Sequence, residues 1–280
     1  MFLRLSFLVV TFILLSACAA YYPPPSSKLE IVSTVALPKT LSETSGLFCE
    51  ANQLYSLNDS GNAPAVFKLS PDGAVINESK LSLTNVDWEA ISADGTYFYI
   101  ADVGNNKGSR EVVSIYKVKR DNLNDIQTLR LKYSGNTPSS NRAYAHDFDA
   151  EAMVKTDDAL LLFSKSWRSG ITRVYKVNAE ENEQTLNAFA QIKNLPGVVT
   201  GADFDKTRNL FVLTGYKSDP FGNFSTFIAQ ASSNFDVVNV WPLKSFKQVE
   251  GICVDEVGDY WFSEEATEGR EATLSKAVLQ

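Results

Sequence analysis

Pairs of acidic residues in apolar surroundings are the part of this sequence whose types and spacing could do chemistry. Asp87 and Glu89 are separated by one residue, and so are Asp149 and Glu151. Alternate residues of a β-strand point to the same face, so each pair would present two carboxylates together. Carboxylates that share one space repel each other and raise each other's pKa unless a cation compensates them. The spacing therefore predicts either a cation site or a cluster of carboxyls held by structural hydrogen bonds.

These acids recur because the chain itself repeats. Five segments align without gaps around a small residue, and Glu89, Glu151 and Glu250 each stand directly before it, whereas Thr200 takes this place in the fourth segment. Calcium accepts several hard oxygen ligands in an irregular shell, so the three glutamates are candidate calcium ligands. The alternative is that they hydrogen-bond neighbouring backbone or face water. The five aligned segments are 43–47, 87–91, 149–153, 198–202 and 248–252.

The repeat also predicts the fold. Each segment leads through a turn to a second apolar strand, most units continue with third and fourth strands, and the unit starts lie 44, 62, 49 and 50 residues apart. Four short antiparallel strands in a unit of this length are typical of a β-propeller blade. We therefore predict an all-β propeller of five blades, in which the N-terminal strand at 29–37 completes the last blade and removes an open edge. Six blades are the alternative, with a degenerate blade hidden in the polar insertion 134–145.

The ends of the second strands predict a rim on one face of this disc. The Asp/Gly/Asn-rich loops that follow Asp59 and Asp102 are typical of turns, and they could also surround a ligand. Aromatic side chains near this rim could stack on a sugar or aromatic ligand, or pack between blades. The second-strand ends form a ring of Asp59, Asp102, Lys165, Gly215 and Glu264, and the candidate rim ligands are Asp59, Asp102 and Glu264 from this ring together with Asp87 and Asp149 of the acidic pairs; the neighbouring side chains are Trp88, Trp167, Tyr216 and Arg168.

The first residues of the chain are typical of an export signal. Arg4 precedes an apolar run over 5–15, and the run ends in Leu15-Ser16-Ala17-Cys18. This pattern resembles a bacterial lipoprotein signal (residues 1–17), which implies cleavage before Cys18 and lipidation of its sulfur; an ordinary secretory signal is the alternative. Three prolines in 18–28 predict an extended tether to a propeller domain at 29–280. The resemblance implies a lipid-anchored envelope protein, and because Ala19 is not acidic it favours the outer membrane of a Gram-negative host over retention at the inner membrane.

Two cysteines and one histidine remain. An exported protein could pair Cys49 with Cys253, but the repeat alignment places them on opposite faces of their strands and so predicts two free, buried thiols. No cluster of cysteines and histidines in the sequence has the spacing of a zinc site. We expect His146, the single histidine, in a surface loop, with a general base or metal ligand as the alternative. The net charge of −7 argues against nucleic acid as a partner and favours cations.

The local motifs carry a family resemblance over about residues 40–265. They resemble bacterial exported propellers grouped with SdiA-regulated, NHL-like and SMP-30/gluconolactonase-like proteins, and the last of these imply a divalent metal in the channel. From this we expect a membrane-anchored binding module for a protein, glycan or small molecule. The alternative is a metal-dependent hydrolase of the lactonase or phosphoesterase type that uses one channel carboxylate as general base. The motifs lie at 57–62, 86–89, 99–106, 151–153 and 250–252.

Overall fold

Short runs of β-branched and aromatic residues, separated by tight turns, form the strands of this protein. The computed structural model describes residues 25–219 and 221–280, so the signal sequence and Cys18 lie outside the described residues. Between the strands, Gly73 and Gly258 adopt positive φ angles that favour glycine. The strands are β1 Leu29–Ala36, β2 Thr44–Glu50, β3 Gln53–Asn58, β4 Ala65–Leu69, β5 Val75–Lys80, β6 Trp88–Ala93, β7 Tyr97–Asp102, β8 Val113–Lys119, β9 Ile126–Tyr133, β10 Ala150–Lys155, β11 Leu160–Ser164, β12 Thr172–Val177, β13 Glu183–Leu186, β14 Ala188–Ile192, β15 Val198–Asp205, β16 Leu210–Ser218, β17 Phe224–Ala231, β18 Val237–Leu243, β19 Val249–Val254, β20 Tyr260–Glu264 and β21 Thr273–Leu279.

The strands form five sheets, which are the five blades of a β-propeller. Blade 1 is β2-β3-β4-β5, blade 2 is β6-β7-β8-β9, blade 3 is β10-β11-β12-β14 and blade 4 is β15-β16-β17-β18. Blade 5 is β19-β20-β21 with β1 as its outer strand, and Leu29 pairs with Leu279 while Ala36 pairs with Thr273. The predicted closure by the N-terminal strand is therefore confirmed. The insertion between β9 and β10 contains the short 3-10 helix Pro138–Ser140 and no sixth blade.

One strand departs from the repeat. The sequence predicts a fourth strand over 186–192, where the structure has β14, but a further short strand that it does not predict, β13, precedes it. Strand β14 completes blade 3, while β13 crosses to blade 2 and pairs in parallel with β9, Glu183 opposite Arg130. Blade 2 is thereby extended to five strands, and its outer edge is covered.

Apolar side chains between neighbouring blades hold the ring together. Each of five buried clusters joins two adjacent blades, and the largest side chains in them, including Trp88, Phe163 and Phe262, are shielded from solvent. The small residue at the centre of each repeat lets the inner strands approach each other. A Cβ on Gly46 would lie 2.5 Å from the backbone nitrogen of Ile91 in the next blade.

Cys49 and Cys253 form a disulfide, so the prediction of free thiols is wrong. Cys49 lies in the inner strand of blade 1 and Cys253 in that of blade 5, and their Cα atoms are 5.6 Å apart. The two side chains do leave opposite faces of their blades. In a closed ring, however, opposite faces of adjacent blades are the ones that meet, so this orientation brings the two sulfurs together. Among residues 25–219 and 221–280, no helix is long and apolar enough to cross a membrane.

Candidate functional site

A β-bulge lies at the start of every inner strand, and in four of the five blades its side chain lines the channel, whereas Thr200 of blade 4 donates to the Val249 carbonyl instead. The pairing of each inner strand with the second strand shifts register at this point, which leaves one or two residues unpaired. Bulges of this kind re-aim side chains and are frequent beside functional sites. The bulged residues include the three glutamates of the repeat. In chain order these positions hold Ser45, Glu89, Glu151, Thr200 and Glu250.

These bulges open into one polar cavity of about 270 Å³ at the end of the channel where the inner strands begin. Glu89 and Glu151 are buried and Glu250 is half-buried, and all three line this cavity. The three candidate metal ligands that the repeat predicts therefore line one cavity, although only Glu89 of them belongs to a cluster of carboxylates close enough to share a metal ion. The cavity is lined by Glu43, Thr44, Ser45, Asp59, Glu89, Asn106, Tyr144, Glu151, Lys165, Trp167, Tyr216, Gln248, Glu250 and Glu265.

The register of the second strands divides the predicted rim into two sets of residues. Asp102 pairs with Trp88 and Glu264 pairs with Val249, so these two acids occupy one repeat position. The second repeat position lies one residue later in the chain. It holds Asp59, Lys165, Tyr216 and Glu265 in blades 1, 3, 4 and 5, and all four line the cavity. The sequence alignment joined both positions in one ring because the turns differ in length by one or two residues. Only the later position faces the cavity.

The other rim candidates stabilise the blades instead. Asp102 is buried, and it accepts a hydrogen bond of 2.7 Å from Arg110 and another from the Tyr116 hydroxyl. Asp149 is also buried and accepts bonds from the backbone N–H of Asn105 (2.6 Å) and from Trp167 Nε1 (2.8 Å).

Glu264, the third rim acid of this kind, is likewise used structurally. It accepts the backbone N–H of Lys247 and an Arg270 N–H. Asp102, Asp149 and Glu264 are thus buried acids whose oxygens have hydrogen-bond partners within the protein.

On the blade 3 side of the cavity, a lysine compensates the acid. Lys165 Nζ lies 2.5 Å from both carboxylate oxygens of Glu151 and 3.2 Å from the Tyr216 hydroxyl. Burial alone would lower the pKa of the Lys165 ammonium, but the Glu151 carboxylate outweighs burial and raises that pKa. Lys165 is therefore charged, and it forms an ion pair with Glu151.

On the blade 2 side, three acids meet without such a partner. Asp59, Asp87 and Glu89 each present a carboxylate oxygen within 4.8 Å of the others, and none of them forms an ion pair with a residue in 25–219 or 221–280. Burial, followed by the charges of Asp59 and Asp149, raises the pKa of Asp87 to about 6. Burial and the Glu151 carboxylate raise the pKa of Glu89 well above its ordinary value. The electrostatic potential around these three acids is thus strongly negative.

The blade 5 side adds two more acids. Burial raises the pKa of Glu250 to about 7, against the opposing charge of Lys165. Burial and the neighbouring Glu250 raise the pKa of Glu265 to about 8, and Glu265 accepts a hydrogen bond from Gln248. The cavity therefore holds one lysine against a larger number of carboxyls.

The residues present fit a hard cation. Three carboxylates from two segments of the chain, the loop after β3 and the start of β6, converge on one space and offer the oxygen ligands that calcium takes. Asn106 supplies a further oxygen, because its Oδ1 is buried without a hydrogen-bond partner and the residue lines the same cavity. Gly104 makes room for the acids: a Cβ there would lie 2.3 Å from Glu89 Oε1 and 2.4 Å from Asp87 Oδ2.

Several cavity residues were missed by sequence reasoning. Tyr144 lies in the insertion, packs edge-on to Trp167 with ring centroids 5.2 Å apart, and reaches the cavity mouth. Neither periodicity nor repeat position could have indicated it.

Trp88 packs in the core between blades 1 and 2. His146 is buried with 3% of its surface exposed, so the expectation of a surface loop histidine is wrong.

Comparisons with known proteins support the fold and little more. Neither a protein-family model nor a curated protein matches the chain. The catalytic domain of the GH62 α-L-arabinofuranosidase of Coprinopsis cinerea is similar in structure, with a TM-score of 0.58, 8% identity and coverage of 91% of this chain and 98% of that one. A bifunctional GH43-CE protein of Bacteroides eggerthii reaches 0.50 at 8% identity, over 88% of this chain but 34% of that one. A luciferin-regenerating enzyme reaches 0.47 at 8% identity, over 90% and 95%. At such identities the first two likenesses show the fold alone.

Proposed function

We propose that this protein is a lipid-anchored propeller of the cell envelope that binds a divalent cation, with calcium the best fit, in its acidic cavity. In this proposal it acts as a binding module, and the cation shapes the surface that a protein, glycan or small ligand contacts. The observation that carries the proposal is the convergence of Asp59, Asp87 and Glu89 within 4.8 Å of one another. Their mutual repulsion in a partly buried space favours a bound cation.

Calcium binding is tested by calorimetric titration of the full-length protein in detergent. We expect one high-affinity site, which the Asp87→Asn/Glu89→Gln double variant weakens by about 100-fold or more, because two of three charged ligands are lost. Asp157→Asn is the matched control, since Asp157 is an exposed acid paired with Lys206 and lies outside the cavity. An affinity equal in the double variant and the parent protein would rule out this site.

The proposed anchor rests on residues 1–18 and on where the chain joins the propeller. The disulfide Cys49–Cys253 supports export, because disulfides persist in oxidising compartments. Leu29 pairs with Leu279 at the edge of blade 5 that is remote from Glu264, so a tether before residue 29 leaves the acidic cavity directed away from the membrane. In cell fractionation, Cys18→Ser is expected to move the protein from the membrane to the soluble fraction. Retention in salt-washed membranes would contradict the anchor.

A metal-dependent hydrolase is the second candidate function, and one observation favours it. The pKa of Glu250, about 7, suits a general acid or base near neutral pH. Turnover of a lactone and phosphoester panel in calcium, lost in Glu250→Gln while calcium binding is retained, is the result that would establish the enzyme. The absence of turnover above the buffer rate would leave the binding module.

A further inference from the structure

A second cavity, of about 580 Å³, lies beside the acidic one and has the opposite charge. Three arginines line it: Arg142 from the insertion between β9 and β10, Arg168 from the loop after β11, and Arg173 from β12. One acid, Asp147, faces them. In a chain with a net charge of −7, three arginines against one carboxylate form an unusual positive surface. We call this cavity the arginine groove.

Asp147 compensates only one of these arginines. Its Oδ1 accepts the backbone N–H groups of Arg168 (3.0 Å) and Ser169 (2.9 Å), and its Oδ2 lies 3.4 Å from Arg173 Nη2. The guanidinium groups of Arg142 and Arg168 form no hydrogen bond or ion pair with residues 25–219 or 221–280. Two guanidinium groups are therefore available to a ligand, and such groups match the geometry of oxyanions.

The walls of the groove are held in place by buried polar contacts. His146 Nδ1 accepts the backbone N–H of Phe148 at 3.1 Å, so its Nε2 carries the proton and points to the carbonyl of Asn106 at 3.3 Å. Asn141 donates to the carbonyl of Gly108 at 2.9 Å. A Cβ at Gly108 would lie 2.5 Å from Asn141 and 2.8 Å from His146, so glycine permits this close contact. These contacts fix the backbone that carries the exposed side chains of Arg142 and Arg168, so binding has to order the two arginine side chains but not the loops that hold them.

The groove adjoins the acidic cavity through an aromatic pair. Tyr144 and Trp167 line the acidic cavity. In the chain, Tyr144 is two residues after Arg142, and Trp167 directly precedes Arg168, so each aromatic residue is a neighbour of an arginine that lines the groove. Tyr144 is 60% exposed, so its ring offers an apolar face at the surface between the two cavities. Aromatic faces beside hydrogen-bonding groups suit the rings of sugars.

We propose that the arginine groove binds the oxyanion group of a negatively charged sugar, a phosphate or carboxylate, whose ring packs on Tyr144 and Trp167. The oxyanion would accept hydrogen bonds from Arg142 and Arg168, while Arg173 remains with Asp147. This proposal does not depend on the cation site, because its charged contacts are arginines. A titration in EDTA therefore tests it separately from calcium binding.

Calorimetric titrations of the full-length protein in EDTA at low salt use four probes: glucose 6-phosphate, glucuronate, glucose and inorganic phosphate. We expect at least one of the two charged sugars to bind about tenfold or more tightly than both glucose and inorganic phosphate. In Arg142→Ala/Arg168→Ala this affinity falls about tenfold or more, because charged hydrogen bonds are lost. Arg130→Ala is the matched control, since Arg130 is an exposed arginine paired with Glu183 on the outer edge of blade 2.

Three results would overturn the proposal. The first is the absence of binding by both charged sugars at millimolar concentration. The second is an equal affinity for inorganic phosphate and the charged sugars, which would indicate a simple ion site without a sugar contact. The third is binding that survives in the double arginine variant, with circular dichroism showing that the variant is folded.

Discussion

Blades 2 and 3 carry the same acidic motif at the same repeat position and use it in opposite ways. In blade 3, Glu151 forms a buried ion pair with Lys165. In blade 2, Glu89 lies beside Asp59 and Asp87, with no lysine or arginine paired to it among the described residues. One side of the cavity is therefore compensated by the protein, and the other depends on protons or on a cation from solution.

The difference comes from the residue that follows the second strand. By register, Val103 of blade 2 is equivalent to Lys165 of blade 3, and blade 1 has Asp59 at this position. Val103 is buried in the apolar cluster between blades 2 and 3, so it cannot offset a charge. A repeated motif thus sets where an acid points, while a neighbouring, variable position decides its electrostatic state.

The largest test removes the compensating lysine. Lys165→Met leaves the buried Glu151 carboxylate without its partner and is expected to lower the free energy of unfolding by about 3–5 kcal/mol in urea denaturation. In Lys165→Met/Glu151→Met, much of this loss should return, because both charges are then absent. A Lys165→Met variant as stable as the parent protein would remove the distinction between the blades.

A second test uses the pH dependence of stability. The pKa values of Asp87 (about 6) and Glu250 (about 7) exceed their ordinary values, so the folded state holds protons that the unfolded state releases. This stabilisation is complete below pH 4 and is lost as the pH rises through 6 to 7. In EDTA, we expect the free energy of unfolding to fall by about 2 kcal/mol over this range, after allowance for solvent screening, relative to Asp87→Asn/Glu250→Gln.

Calcium provides the control for that experiment. A bound cation replaces the proton of Asp87, so calcium should restore part of the lost stability of the parent protein at pH 8 and stabilise the double variant, which lacks this ligand, less. Parallel pH profiles for the parent protein and the variant would show that these carboxyls are compensated after all.

The smallest expected effect is in the acid of blade 2 itself. Glu89→Gln keeps the shape of the side chain and removes a carboxyl whose ionisation burial and the neighbouring acids oppose, so in EDTA at alkaline pH the variant should be more stable by about 1 kcal/mol. Urea denaturation measures the change, and Glu111→Gln, an exposed acid on blade 2, is the matched control. A destabilised Glu89→Gln variant would mean that the blade 2 carboxylate has a structural partner like that of blade 3.

The architecture was readable from the sequence because propeller repeats are local. Each blade depends on alternation and turns within about fifty residues, so the five-blade count and the strand that closes the ring followed from spacing. The predicted site residues Glu89, Glu151 and Glu250 also share one cavity. Their common position is a property of the repeat, which a single sequence displays.

The partners of these acids depended on details that spacing does not contain. A difference of one or two residues in turn length merged Asp102 and Lys165 into one predicted ring, although only Lys165 reaches the cavity. The faces of Cys49 and Cys253 were assigned correctly, but their pairing depends on how adjacent blades meet around a closed ring. The insertion that holds Tyr144 and His146 has no periodicity, and its position is set by side-chain contacts with the loop at 103–112.

The disulfide between the first and last inner strands has a mechanical consequence. A pull on the chain before Leu29 acts on β1 and would peel its pairs from β21 one at a time, beginning at Leu279. When β1 is detached, the force reaches β2, which Cys49 joins covalently to Cys253 in blade 5. The circle of inner strands would therefore stay closed under tension after its outermost strand has come away, and the acidic cavity would stay assembled.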